Sequence, residues 1–243
     1  MRYYYLIHDS LLKNRSTTFL RIHSNTLDLS YDQQGYLNYA EPVPLLVRGE
    51  EEQKSNLYFP VYENSMTYID LMILELKAVF EQFNLPQHRW YQAQAGYDLE
   101  FVSRMKKYFK IDYDIDLDEK RDYWILQLLF IDSIKELDYP SISFDLVNFD
   151  TQEKVDFIHN GTIKSYDEYV AYTEGEYEKR KCVLDIKDFI YRKNYDILWG
   201  GTQIVFNEKV KLALEATGII TAENGLEFAE FTDYQIQMLG DQA

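Results

Sequence analysis

Apolar side chains along this chain switch between two periods, and the switches mark out its elements. Residues 2–7 and 19–23 carry aromatic and β-branched runs and read as strands, with a polar turn at 13–16 between them. Residues 41–53 hold Pro42, Pro44 and the acidic run Glu50-Glu51-Glu52, and read as a loop. Residues 57–62 are extended again. The clearest helical period falls at 66–83, where Ile69, Met72, Ile73, Leu76, Val79, Phe80 and Phe83 recur at i, i+3, i+4, i+7 spacing. Leu71 and Leu74 lie off that face, so this helix should be wrapped on more than one side, and Pro86 stops it. A second helix is expected at 99–109, with Phe101, Met105, Tyr108 and Phe109 inward and Arg104, Lys106 and Lys107 outward. Residues 124–131 and 141–147 read as strands with Pro140 in the turn between them, 166–172 as a short helix, and 183–191 as one strand.

The most complete pattern lies near the end. Ile204-Val205-Phe206 is a short strand, and Asn207 is a residue type that caps helices by accepting an unpaired backbone N–H. Val210, Ala213, Leu214 and Thr217 follow at helical spacing, and Gly218 stands where a left-handed residue ends a helix. An extended pattern resumes over 226–231. A strand leading into a helix and back into aromatic sequence also occurs around 59–91, a hint of internal symmetry at low sequence identity. No Gly/Ser linker or low-complexity run divides the chain. The expectation is one α+β domain over 1–243, with mostly antiparallel sheets and two or three packed helices. If there are two similar lobes, they part near Asp138-Tyr139-Pro140, as 1–138 and 139–243.

The C-terminal stretch Asn207-Glu208-Lys209-Val210-Lys211-Leu212-Ala213-Leu214-Glu215, then Gly218, then Gly225-Leu226-Glu227-Phe228, resembles the C-terminal signature of a superfamily of bacterial immunity proteins that accompany polymorphic secreted toxins. The preceding Val183-Leu184-Asp185-Ile186, Phe189-Ile190-Tyr191-Arg192 and Ile197-Leu198 fit the same pattern. The resemblance covers residues 144–231. Before that it is confined to the Tyr-rich opening and Phe59-Pro60-Val61-Tyr62-Glu63-Asn64. The family typically has Ser at the helix start where this chain has Asn207, and both residue types cap helices. The resemblance implies a non-catalytic protein that binds and neutralises a cognate toxin.

Composition sharpens that picture. Of 243 residues, 46% are hydrophobic, ample for a core. The 22 tyrosines suit half-buried sheet faces and also recognition surfaces. There are 41 acidic against 25 basic residues, for a net charge of −16, so phosphate backbones should be repelled and a basic protein partner attracted. Solubility alone also explains such a charge. The single cysteine, Cys182, excludes an internal disulfide and reads as a small buried residue. The first residues lack the long apolar stretch of a secretion signal, and no segment is apolar for the length of a membrane span. A cytoplasmic protein with no membrane partner is the expectation, and oligomeric state stays open.

Candidate chemistry is sparse. Asp112-Tyr113-Asp114-Ile115-Asp116-Leu117-Asp118 looks like a calcium loop, but the sixth and twelfth positions hold Leu117 and Tyr123 instead of Gly and Glu. Period two is the better reading. Asp112, Asp114, Asp116 and Asp118 then share one face, either a docking strip for a basic partner or a solvated edge. Glu174, Glu176 and Glu178 with Tyr172 and Tyr177 form a second acidic, Tyr-rich segment, either a further docking element or an exposed hairpin loop. His88-Arg89-Trp90-Tyr91 either presents an aromatic–cation patch or begins a strand and packs. The four histidines form no zinc pattern, and there is no phosphate loop or nucleophile elbow, so no cofactor is expected. A small hydrolase using two carboxylates in a cleft, or a non-catalytic adaptor subunit, are the alternatives to toxin neutralisation.

Overall fold

In the computed structural model, residues 2–8, 21–22, 32–38, 42–47, 59–64, 67–72, 74–97, 99–109, 118, 120–200, 203–221, 226–233 and 235–240 are described. The fold is α+β with mostly antiparallel sheets. In chain order the first half contributes β1 (Tyr3–His8), β2 (Arg21–Ile22), β3 (Val43–Val47), β4 (Phe59–Asn64), β5 (Thr67–Met72), α1 (Leu74–Phe80), β6 (His88–Tyr97), α2 (Leu99–Phe109) and β7 (Arg121–Leu129). The second half adds α3 (Phe130–Lys135), β8 (Phe144–Asn148), β9 (Lys154–Ile158), α4 (Tyr166–Arg180), β10 (Cys182–Ile186), β11 (Asp188–Tyr191), β12 (Ile197–Trp199), β13 (Ile204–Asn207), α5 (Glu208–Ala216), β14 (Leu226–Glu230) and β15 (Gln235–Met238).

The largest sheet runs β2-β3-β6-β7-β5-β4 and is antiparallel except at β3/β6. A second runs β12-β13-β1-β14, antiparallel throughout. A third runs β10-β8-β9, and β11 pairs with β15 in parallel. Strand β1 therefore sits between β13 and β14, so a cut at 138/139 would part it from both of its neighbours.

Alternation along β1 and β13 gives their sheet two buried faces. Tyr4, Leu6, Ile204 and Phe206 point to one side, where α1 and α5 close the core with Leu76, Phe80, Val210 and Leu214. Phe80 meets Phe206 edge-on at 6.3 Å, a favoured aromatic geometry. Tyr3 and Val205 point to the other side, into a second core with Tyr139, Phe144, Leu146, Leu184 and Tyr191.

Several local expectations are corrected. Residues 67–72 form strand β5, not the first turns of a helix; the helix begins only at Leu74. Thr67-Tyr68-Ile69 is β-branched and aromatic, and the segment is hydrogen-bonded between β4 and β7. Residues 43–47, read as loop, are strand β3, with Pro44 opposite Gln94. Helix α3 interrupts the strand expected at 124–131, a short 3₁₀ turn at Tyr139–Ser141 precedes β8, and 183–191 splits at Lys187 into β10 and β11, which belong to different sheets. Helix α2 has the expected bounds, but Tyr108 is 67% exposed, not inward.

Candidate partner-binding face

Of the first acidic strip, Asp112, Asp114 and Asp116 lie outside the described residues, and Asp118 is exposed in a turn ahead of β7. The second acidic segment is well defined. It is the C-terminal half of a fifteen-residue helix, α4, not a hairpin loop. Ser165 caps this helix by accepting the Glu168 backbone N–H at 3.2 Å. Glu168 reaches back to accept the Lys164 N–H at 2.8 Å. This Ser-x-x-Glu box was legible in the sequence and marks the true start. Asp167 and Glu168 in the first turn and Lys179 and Arg180 in the last suit the helix dipole. Lys181 ends the helix in the left-handed region at φ 56°, and its N–H bonds to the Tyr177 carbonyl.

The helix lies on the third sheet with Tyr166, Tyr169 and Tyr172 packed against the core. Glu176 belongs to that inward side. Its carboxylate accepts from Arg180 Nε at 2.7 Å and pairs with Lys179 at 3.5 Å, and the Arg180 hydrogen bond holds it below the ordinary carboxylate range. Asp167, Glu174 and Glu178 stand seven and four residues apart on the opposite side, a solvent-facing acidic row with no ion pair among the described residues. Tyr177 lies on the flank between the two sides, 37% exposed. Its ring meets Phe149 at 5.6 Å edge-on, and Phe149 is itself 51% exposed. Lys181 Nζ sits 4.2 Å over the Tyr177 ring. Of the residues expected in this segment, Glu174, Tyr177 and Glu178 thus share an accessible surface. Glu176 is engaged in holding the helix. The Phe149 partner comes from the turn after β8, distant in sequence from the helix, so local sequence gives no sign of it.

The exposed aromatic pair beside an acidic row has the composition of a recognition surface, in which aromatic rings anchor and rim charges orient. A separate groove of about 180 Å³ opens between Phe130, Tyr169, Leu184, Phe189 and Trp199. Among the described residues its lining holds one carboxylate, Asp185, which pairs with Lys187 at 2.7 Å. Among the described residues no three His, Cys, Asp or Glu side chains converge as metal ligands, and no helix is long and apolar enough to cross a membrane. Cys182 is buried at the start of β10, its thiol facing the Arg180 carbonyl.

His88-Arg89-Trp90-Tyr91 begins strand β6. Arg89 is held by Asp32 at 2.6 Å and lies 4.2 Å over the Tyr36 ring. Tyr36 donates to Asp132 at 2.8 Å. Beneath them the buried Gln127 accepts from the Leu37 N–H at 2.9 Å and the Tyr91 hydroxyl at 3.1 Å. Asp32 is partly desolvated, yet the Tyr36 and Gln34 N–H groups and Arg89 hold its carboxyl below the ordinary range. This network anchors residues 32–38 to the large sheet. Sequence spacing gave no sign of it, since its members are separated by up to a hundred residues.

Comparison with family models, with curated proteins and with solved structures returns no match.

Proposed function

We propose that this protein is an immunity protein, which neutralises a cognate secreted toxin by binding it stoichiometrically and covering its active or substrate surface. The observation that carries the reading is the C-terminal unit. Its Asn207-Glu208-Lys209-Val210-Lys211 signature resembles that of the immunity superfamily, and it is built as strand β13, an Asn-capped α5 and returning strand β14. Two further features support it. The net charge of −16 favours fast encounter with a basic protein and opposes nucleic-acid binding. The row Asp167, Glu174, Glu178 beside Phe149 and Tyr177 supplies an aromatic anchor with a negative rim.

The test is co-expression with the product of the adjacent gene, scored by growth rescue and by co-purification. Rescue with a one-to-one complex is expected. No toxicity and no complex would remove this reading. Given a complex, Glu174→Lys with Glu178→Lys is expected to slow association about tenfold at low salt, and Tyr177→Ala to speed dissociation. Unchanged rates in both would move the interface elsewhere, to the 112–118 strip first.

A further inference from the structure

The hint of symmetry between the stretches around 59–91 and 204–231 acquires a register. Strands β5 and β6 flank β7, both antiparallel to it, and α1 connects them. Strands β13 and β14 flank β1, both antiparallel to it, and α5 connects them. Superimposing Trp124 of β7 on Tyr4 of β1 makes the pairings coincide. Met72 lies opposite Trp124, as Phe206 lies opposite Tyr4. Gln92 lies opposite Trp124 and Trp90 opposite Leu126, as Glu230 lies opposite Tyr4 and Phe228 opposite Leu6.

The helices follow the same registration. Lys77 stands five residues after Met72, and Lys211 five after Phe206. Lys77 Nζ lies 4.3 Å from the Trp124 ring and 5.2 Å from the Trp90 ring. Lys211 Nζ lies 4.7 Å from the Tyr4 ring and 5.6 Å from the Phe228 ring. These are equivalent strands in each case. Each lysine also pairs with the glutamate four residues on, Glu81 at 2.5 Å and Glu215 at 3.4 Å. Leu76 and Phe80 are fully buried, as are Val210 and Leu214 at the matching positions, while Leu74, Glu75, Ala78 and Glu81 are exposed like Glu208, Lys209, Leu212 and Glu215. On the reverse face of the central strands, Tyr123 matches Tyr3, both buried.

We propose that β5–α1–β6–β7 and β13–α5–β14–β1 are two copies of one structural unit, the second circularly permuted so that its central strand comes first in the chain. A strand–helix–strand with a strand inserted between is a common arrangement. A shared register, a shared lysine clamp over the same two strands and burial that matches at every helix position except Val79 (buried) and Ala213 (half-buried) are not required by that arrangement. The two copies put α1 against α5, so their apolar faces complete one core.

The test grafts one copy's helix onto the other in the full-length chain. Glu208–Glu215 receives the residues of 74–81 through E208L, K209E, V210L, L212A, A213V and L214F, which leaves Asn207, Lys211 and Glu215 in place. A control carries the same eight residues shifted by one position. Equivalence requires the in-register graft to unfold cooperatively within about 10 °C of the parent, and the shifted graft to lose its transition or melt far lower. An in-register graft no more stable than the shifted one overturns the proposal. The comparison holds even if overpacking by L214F lowers both.

Discussion

The carboxylate of Asp196 accepts a 2.6 Å hydrogen bond from the side-chain amide of Asn207. The other oxygen of Asp196 accepts the Asn84 N–H at 3.1 Å, just past the end of α1. Asn207 meanwhile uses its own oxygen to accept the Lys209 and Val210 N–H groups at the start of α5. One acid thus ties the end of α1 to the N-cap of α5.

Asn207 is 2% exposed, so its loss is felt twice. Asn207→Ala removes a cap, typically ~1 kcal/mol, and a hydrogen bond to a charged group, about 1.5–3 kcal/mol. Asn207→Ser keeps the cap and loses only the donor to Asp196, and should fall between the two. Urea denaturation of the three proteins checks the order.

Gly200 closes the turn between β12 and β13, where its N–H bonds to the Gln203 carbonyl. A Cβ there would stand 2.6 Å from Val205 Cγ1, which is a stiff β-branched side chain in the core. Gly200→Ala should cost about 1–3 kcal/mol, and Val205→Ala in the same chain should recover part of the overpacking. A double-mutant cycle of melting temperatures reads the coupling.

Gln127→Leu would leave the Leu37 N–H buried without its acceptor and take one partner from the Tyr91 hydroxyl. The expected cost is about 1–3 kcal/mol for the orphaned Leu37 N–H, plus about 0.5–1.5 kcal/mol for the hydrogen bond that Tyr91 loses. Protease cleavage within residues 32–38 should rise as their anchor is lost. Unchanged cleavage would show that Asp32 and Arg89 suffice.

Burial pushes the phenols of Tyr3, Tyr36, Tyr139 and Tyr191 well above the ordinary tyrosine value, and that of Tyr195, also beside Glu136, up to about 12. A raised folded value means that the fold binds the neutral form. That stability is fully present below the unfolded value near pH 10 and is lost as pH rises through the folded values. Alkaline unfolding should therefore set in above about pH 10, with phenolate absorbance of the buried set appearing together with loss of structure. The hydroxyls of Tyr3 and Tyr191 are buried with no hydrogen-bond partner among the described residues. Tyr191→Phe should accordingly leave neutral-pH stability unchanged or slightly higher, and move the alkaline transition to higher pH.

The sequence made some of this architecture legible for local reasons. Strand β13, the Asn207 cap, α5 and Gly218 at φ 68° are each specified by residues within a few positions of one another. The same holds for α2. Residues 67–72 fit two periods, because Ile69 and Met72 suit a helix as well as a strand, and pairing with β7, fifty-odd residues away in the chain, decides for the strand. Pro44 concealed β3, which depends on β6 for its partner. The candidate face was half legible. Acidic residues near 174–178 stood out, but their helical phase, which separates Glu176 from Glu174 and Glu178, follows from the Ser165 and Glu168 box upstream.

Strand β1 lies between β13 and β14, whose residues come about two hundred positions later in the chain and are made that much later on the ribosome. At about 5–20 residues per second, Tyr3-Tyr4-Tyr5-Leu6 must stay unpaired for roughly ten to forty seconds. This sheet therefore closes only after β13 and β14 have been made, and its assembly is a long-range search. Anything that held the nascent aromatic strand elsewhere in that interval would delay the protein's maturation without altering its final stability.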